Sequence, residues 1–151
     1  MADALPPRRR PAPGARPGWP VTAPAPIRVL VVDDEPSICR ALAIALRRAG
    51  FEPITAESAD AGLAILRAQH VDALVLDLKI PDMRGDALFH IATAIQPHLK
   101  RQTMFVTGDV TERADTLIRA CGAPYVRKPF TLSDVTDTVH ALVPAARREQ
   151  A

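Results

Sequence analysis

Residues 27 to 143 predict an α/β fold, a parallel sheet with helices on both faces, and three observations carry that expectation. Short apolar, β-branched runs alternate five times with segments whose apolar residues recur at helical spacing. One run, VDALVLD at 71–77, is apolar almost throughout, which suits a central strand covered from both sides. Four of the runs end in polar or charged residues, and parallel strands would bring those ends to one edge of the sheet. Repeated strand–helix alternation implies right-handed crossovers.

The first strand is IRVLVVD (27–33). The helix after it, 36–50, carries Ile38, Leu42, Ala45, Leu46 and Ala49 on one face, with Pro36 suited to its first turn and Gly50 to its stop. FEPITAE (51–57) is the second strand, and Pro53, which cannot donate to a central ladder, places it at an edge. Residues 58–69 form a second helix with Ala59, Gly62, Leu63 and Leu66 inward. The third strand ends at Asp77, and a loop runs on through Pro81 and Gly85. The third helix turns Leu88, Ile91, Ala92, Ile95 and Leu99 inward, with Pro97 ending or bending it. QTMFVTG (102–108) is the fourth strand. Thr111 then caps a short helix that buries Ala114, Leu117, Ile118 and Cys121 and closes at Gly122. PYVRK (124–128) is a short strand suited to the other edge, and from Thr131 the last helix buries Leu132, Val135, Val139, Leu142 and Val143 up to Pro144.

Composition sets the limits. A chain of 151 residues, nearly half hydrophobic and a quarter charged, is long enough for one packed domain and short for two. Eight of its fifteen prolines fall in residues 1–26, where only Leu5, Trp19 and Val21 are sizeable apolar side chains, so this stretch is expected to be a disordered leader. Arg8, Arg9, Arg10 and Arg16 give it a net charge of +3, while residues 27–151 carry −1. A basic arm can attract nucleic acid, anionic lipid or an acidic partner; a solvated leader is the simpler reading. No apolar stretch follows the arginines as a secretory or twin-arginine signal needs, and none approaches a membrane span, so the expectation is a soluble, cytoplasmic protein. Cys39 and Cys121 fall in helices without metal-ligand spacing and read as reduced, buried thiols.

The strand ends carry the chemistry. The first ends in Asp33, Asp34 and Glu35, the third in Asp77, the fourth in Thr107 and Gly108, the fifth in Lys128 and Pro129. Carboxylates converging on one edge repel one another unless a cation or a lysine joins them. An all-oxygen set suits magnesium, which keeps several waters and takes one or two carboxylates plus a phosphate. A Thr107 hydroxyl and the compact Lys128 ammonium complete a site complementary to a phosphoryl group, with an aspartate as candidate nucleophile. Each piece alone has a plainer explanation, in strand-to-helix turns or surface charge. Together, at four different strand ends, they point to phosphoryl transfer.

The stretches VLVVDDEP, VLDLKIPDMRG around Asp77, FVTGD with Thr107 and YVRKPF with Tyr125 and Lys128 resemble the receiver domain of bacterial response regulators, from about Ile27 to Val143. The resemblance implies a flavodoxin-like, doubly wound five-stranded sheet in the order 2-1-3-4-5, with Asp77 accepting phosphate from the phosphohistidine of a sensor histidine kinase or a histidine phosphotransfer protein. It implies a magnesium ion held by Asp34 directly, by Asp33 through water, by Asp77 and by the backbone carbonyl of Lys79. It further implies that Lys128 pairs with the phosphoryl group, that the peptide before Pro129 is cis, and that Thr107 and Tyr125 form a switch that changes the face built by helix four, strand five and helix five. Lys79 and Asp109, two residues past the acceptor and the switch threonine, flank the approach of water by the same resemblance. They either pair across the mouth of the site or both point into solvent.

No periodic apolar sequence follows Pro144, so residues 144–151 read as a flexible tail and the chain as a stand-alone receiver, without a DNA-binding domain, whose output passes through another protein. Its chemistry is then limited to taking up a phosphoryl group and slowly losing it, rather than enzymatic turnover. A magnesium-dependent aspartyl-phosphate phosphatase would want a second acid two residues after the nucleophile, where Lys79 stands. A pseudo-receiver that never takes phosphate usually lacks an acid, the acceptor or the lysine, and all are present here.

Overall fold

A computed structural model describes residues 25–109 and 111–144; most of the expected leader and nearly all of the expected tail lie outside the described residues. In chain order the elements are β1 (Arg28–Val32), α1 (Pro36–Arg48), β2 (Glu52–Ala56), α2 (Ala59–Ala68), β3 (Ala73–Asp77), β4 (Lys79–Ile80), β5 (Met83–Arg84), α3 (Gly85–Ile95), a 3-10 helix (Pro97–Arg101), β6 (Thr103–Thr107), α4 (Glu112–Cys121), β7 (Tyr125–Arg127) and α5 (Leu132–Leu142). The main sheet runs β2-β1-β3-β6-β7, every neighbouring pair parallel. Counting only its five strands, this is the expected order 2-1-3-4-5, with β2, the strand holding Pro53, at one edge and β7 at the other.

Strand periodicity of two divides the core into two layers. From β1, Leu30 and Val32 face the side of α2, α3 and α4, where they meet Leu63, Leu88, Phe105 and Ile118. Val29 and Val31 face the other side, with Leu42 and Leu46 of α1 and Val135 and Val139 of α5. Helix ends follow local chemistry. The Thr111 hydroxyl accepts from the Ala114 N–H at 3.2 Å, Thr131 and Asp134 form a reciprocal capping box, and Gly122 stops α4 in the left-handed region at φ 72°, where a side chain would be strained.

The structure corrects two details. Residues 79–84, read as loop, form the antiparallel hairpin β4–β5, in a sheet of its own. Leu132, expected inside, is 42% exposed: it opens the first turn of α5 and projects beyond the core that Val135 and Val139 fill. Pro97 ends α3 as expected by opening the 3-10 turn, which still buries Leu99. Cys39 and Cys121 are both buried free thiols, and burial is the main cause that pushes Cys39 up to about 11. No described helix is long and apolar enough to cross a membrane.

Candidate functional site

Because the main strands are parallel, their carboxyl ends lie along one edge, and four of them deliver polar residues there. Asp33 follows β1 and is wholly buried, Asp34 beside it is exposed, and Asp77 is the buried last residue of the central strand β3. One oxygen of each lies within 4.8 Å of the other two. Past the end of β7, the Lys128 Nζ reaches into this group, 3.0 Å from Asp77 Oδ2, 3.1 Å from Asp33 Oδ2 and 2.9 Å from Glu35 Oε1. The Lys128–Pro129 peptide is cis, as the resemblance implied.

These contacts set the charge states. Burial works against the Lys128 ammonium, yet its hydrogen bonds to Glu35 and Asp77 and its ion pair with Asp33 together outweigh that and raise its pKa. The Asp33 pKa is also raised, chiefly by burial; the Glu35 N–H on Asp33 Oδ1 (2.9 Å) opposes this, the Asp77 charge adds to it, and Lys128 opposes it. Asp33 Oδ2 is buried and lies against Lys128 as an ion pair without a well-directed hydrogen bond. A buried carboxylate oxygen with no donor, next to two other carboxylates, is a site where a hard cation fits.

Thr107, the buried end of β6, stands on the strand beside Asp77 but touches none of the carboxylates through a hydrogen bond; its Oγ1 accepts the Asp109 N–H at 2.9 Å. Lys79 gives its N–H to Asp77 Oδ1 at 3.1 Å, and its ammonium meets Asp109 Oδ2 at 3.3 Å, so of the two arrangements open to this pair the structure takes the bridging one. Asp109 is held at about 2, first by the N–H and hydroxyl of Thr111 and then by Lys79. Tyr125 is half-buried on β7, and its hydroxyl donates to Asp115 Oδ1. Beside Lys128 a groove of about 250 Å³ opens, lined by Ser37, Ile38, Ala41, Pro129, Phe130 and the exposed Leu132.

Three contributors escaped the sequence reading. Glu35 was seen only as part of an acid triplet, yet it is the third carboxylate on Lys128. Asp82, at the tip of the β4–β5 hairpin, accepts from the N–H groups of Ala59 (3.0 Å) and Asp60 (3.1 Å), which lowers its pKa and fastens the hairpin to the start of α2. Gly85 packs directly on the backbone of Asp77 and Leu78; a Cβ there would lie 2.3 Å from the Asp77 carbonyl oxygen. A turn-like glycine was the only signal for it.

The family model of the response regulator receiver domain matches residues 29–140. The probable transcriptional regulatory protein TcrX of Mycobacterium tuberculosis is 35% identical over 118 residues, 78% of this chain and 50% of that protein. The chain thus spans about half the length of this relative. Among solved structures, a CheY-like receiver domain protein of Methanospirillum hungatei matches with a TM-score of 0.73 at 26% identity, covering 84% of this chain and 100% of that one. The chemotaxis protein CheY4 of Vibrio cholerae matches at 0.71 and 26%, covering 79% and 100%.

Proposed function

From the premise that this chain belongs to the response regulator receiver domain family of two-component systems, we propose that Asp77 accepts a phosphoryl group from a sensor histidine kinase or a histidine phosphotransfer protein. The adduct then changes which protein the chain binds. One arrangement supports this above the rest: a buried carboxylate at the end of the central strand, held from one side by the Lys79 N–H and from the other by the Lys128 ammonium. In the transfer, an Asp77 oxygen bonds to phosphorus while the bond from phosphorus to the donor's imidazole nitrogen breaks. Lys128 faces the incoming negative charge and already sits where it offsets Asp77. Asp33, Asp34, Asp77 and the Lys79 carbonyl are the proposed magnesium ligands, and the all-oxygen set with its donorless Asp33 Oδ2 fits that ion. When bound, magnesium supplies positive charge to the phosphoryl oxygens. The residues doing this work fall within 27–143, and the site of action is the cytoplasm. A donor face that extends over the groove beside Lys128 meets a largely apolar surface there.

Incubating the full chain with magnesium and acetyl phosphate tests the reading by intact mass. A single phosphoryl adduct mapped to Asp77, absent when magnesium is chelated, is the expected result. Turnover of external phosphoesters, or no adduct from either acetyl phosphate or a histidine kinase, would overturn it.

Switching and lifetime follow from neighbouring residues. A phosphoryl group offers the Thr107 hydroxyl new acceptors, and its movement leaves space for the Tyr125 ring, shifting a pre-existing population of packings. Thr107→Ala is expected to be phosphorylated like the parent but to lose most of any phosphate-dependent gain in partner affinity; an unchanged gain in a binding titration rules out this role. Loss of phosphate needs water in line with the Asp77 ester oxygen, and the Lys79–Asp109 bridge spans that approach. Lys79 is largely exposed, so the bridge is weak and opens often. Lys79→Ala and Asp109→Ala should each speed dephosphorylation by less than about tenfold, the factor for 1.4 kcal/mol, and the double variant should add little. Decay of purified phosphoprotein in excess magnesium decides it: single variants at the parental rate, or effects that multiply, exclude the gate.

A further inference from the structure

Tyr125 is the one tyrosine in the chain. Its ring packs against the core layer on the α2–α4 side, and its hydroxyl donates to Asp115 Oδ1 on α4 at 3.1 Å. The other oxygen of that carboxylate meets Arg119 Nε at 3.0 Å, one helical turn further on. This hydrogen bond ties β7 to α4 through two residues ten positions apart.

We infer that Asp115 is a positioning residue of the switch, a latch whose carboxylate holds the Tyr125 hydroxyl on α4 and favours the packing of the unphosphorylated protein. The inference rests on the Thr107–Tyr125 reading above. A tyrosine ring is rigid and carries its hydroxyl at the far end, so the ring cannot move into space left by Thr107 without taking that hydroxyl off Asp115. Release does not strand the Asp115 carboxylate, because that side chain is 29% exposed and keeps Arg119. The latch therefore biases the two packings without locking either.

The acceptor end of the latch is also joined to the site. Thr107 Oγ1 accepts the Asp109 N–H at 2.9 Å, Asp109 Oδ1 accepts the Thr111 N–H at 2.9 Å, and the Thr111 carbonyl accepts the Asp115 N–H at 3.1 Å. When the Thr107 hydroxyl turns toward a phosphoryl group it gives up the first of these bonds. The turn that presents Asp115 then loses its tie to β6 just as Tyr125 gains somewhere to go. Both halves of the latch are biased by one event at Asp77, which is what a coupling between two sites requires.

Beryllofluoride with magnesium, a non-hydrolysed phosphoryl mimic, gives the test on the full chain. Fluorotyrosine incorporation yields one protein fluorine resonance, and bound beryllofluoride yields its own signals in every variant. In the parent, the tyrosine resonance is expected to move on saturation. In Asp115→Ala it should already lie toward the saturated position without ligand, and half-saturation should fall by about three- to tenfold, the population factor for losing one net hydrogen bond. Asp115→Asn, which keeps an acceptor oxygen, should stay close to the parent. Tyr125→Phe should tighten binding by a similar factor, and adding Asp115→Ala to it should change nothing further. A parental resonance that moves while Asp115→Ala matches the parent in position and half-saturation overturns the latch alone, as do effects that multiply in the double variant. A parental resonance that stays in place at saturation overturns the switch reading, and the latch with it.

Discussion

Replacing Asp77 with asparagine is expected to abolish phosphoryl labelling while leaving a folded protein at least about as stable as the parent in the absence of magnesium. The loss of labelling is chemical: the amide offers phosphorus no carboxylate nucleophile, and the other carboxylates at this edge have other roles, Asp34 as a proposed magnesium ligand and Glu35 on Lys128. Asp33 is fully buried with its Oδ1 on the Glu35 N–H and its Oδ2 against Lys128, and Thr107 is already an acceptor for the Asp109 N–H. The stability argument sets repulsion against attraction. Asp77 has two like-charged neighbours with oxygens within 4.8 Å, each costing about 3 kcal/mol at an effective dielectric constant near 20. It has one ammonium at 3.0 Å, which returns about 5 kcal/mol on the same scale. Neutralising residue 77 thus removes slightly more repulsion than attraction. The hydrogen bonds from Lys79 and Lys128 cannot both be kept by an amide, which costs about 1 kcal/mol and brings the balance near zero. Urea unfolding with chelator should show a midpoint equal to or slightly above the parent's, and magnesium, which stabilises whatever it binds, should raise the parent more than the variant. Stoichiometric labelling of folded Asp77→Asn would mean that the acceptor lies elsewhere.

The parts of this protein legible in its sequence are those fixed by periodicity and chain direction. Five apolar runs with helical spacing between them specify a parallel sheet, and parallel strands send Asp33, Asp34, Asp77, Thr107 and Lys128 to one edge whatever their side chains do in detail. Pro53 marked an edge because a missing N–H is a property of the residue alone. The hairpin β4–β5 was not legible, since strands of two residues are too short to show alternation and Pro81–Asp82 reads equally well as an open turn. Leu132 failed for a related reason: it continues the apolar spacing of Val135 and Val139, but spacing assigns a face of a helix and says nothing about whether the sheet extends far enough to cover its first turn. Spacing likewise left Lys79 and Asp109 with two arrangements, which only the meeting of two loops decides. Asp82 on α2 and Asp115 on Tyr125 depend on which residues face each other across separate elements, so composition and pattern gave no hint of either.

Alanine at position 85 is the other substitution expected to act strongly, and it does so through one methyl group. Gly85 opens α3 directly against the chain leaving β3: its N–H donates to the Leu78 carbonyl at 2.8 Å, and an added Cβ would stand 2.3 Å from the Asp77 carbonyl oxygen and 2.8 Å from the Leu78 Cα. Both are backbone atoms, so no side chain can rotate aside, and either α3 lifts away or the segment carrying Asp77 is pushed back. Alanine gains about 1 kcal/mol of helix propensity over glycine, but forcing a methyl group into a filled space costs about 1–3 kcal/mol or more, and the second term wins where the obstacle is backbone. The thermal midpoint is expected to fall by several degrees. The larger effect falls on chemistry, because in the proposed transfer Asp77 meets phosphorus in line while held by the Lys79 N–H and Lys128, and a shift near 1 Å in such a group costs about a hundredfold in rate. Labelling of folded Gly85→Ala by acetyl phosphate should therefore slow by at least about tenfold, the effect of a displacement smaller than 1 Å. Gly108→Ala is the matched control, since a Cβ there meets nothing within 4 Å, and it should label at close to the parental rate. If Gly85→Ala loses stability but its folded fraction labels at the parental rate, α3 has absorbed the displacement and the glycine serves packing rather than the placement of Asp77.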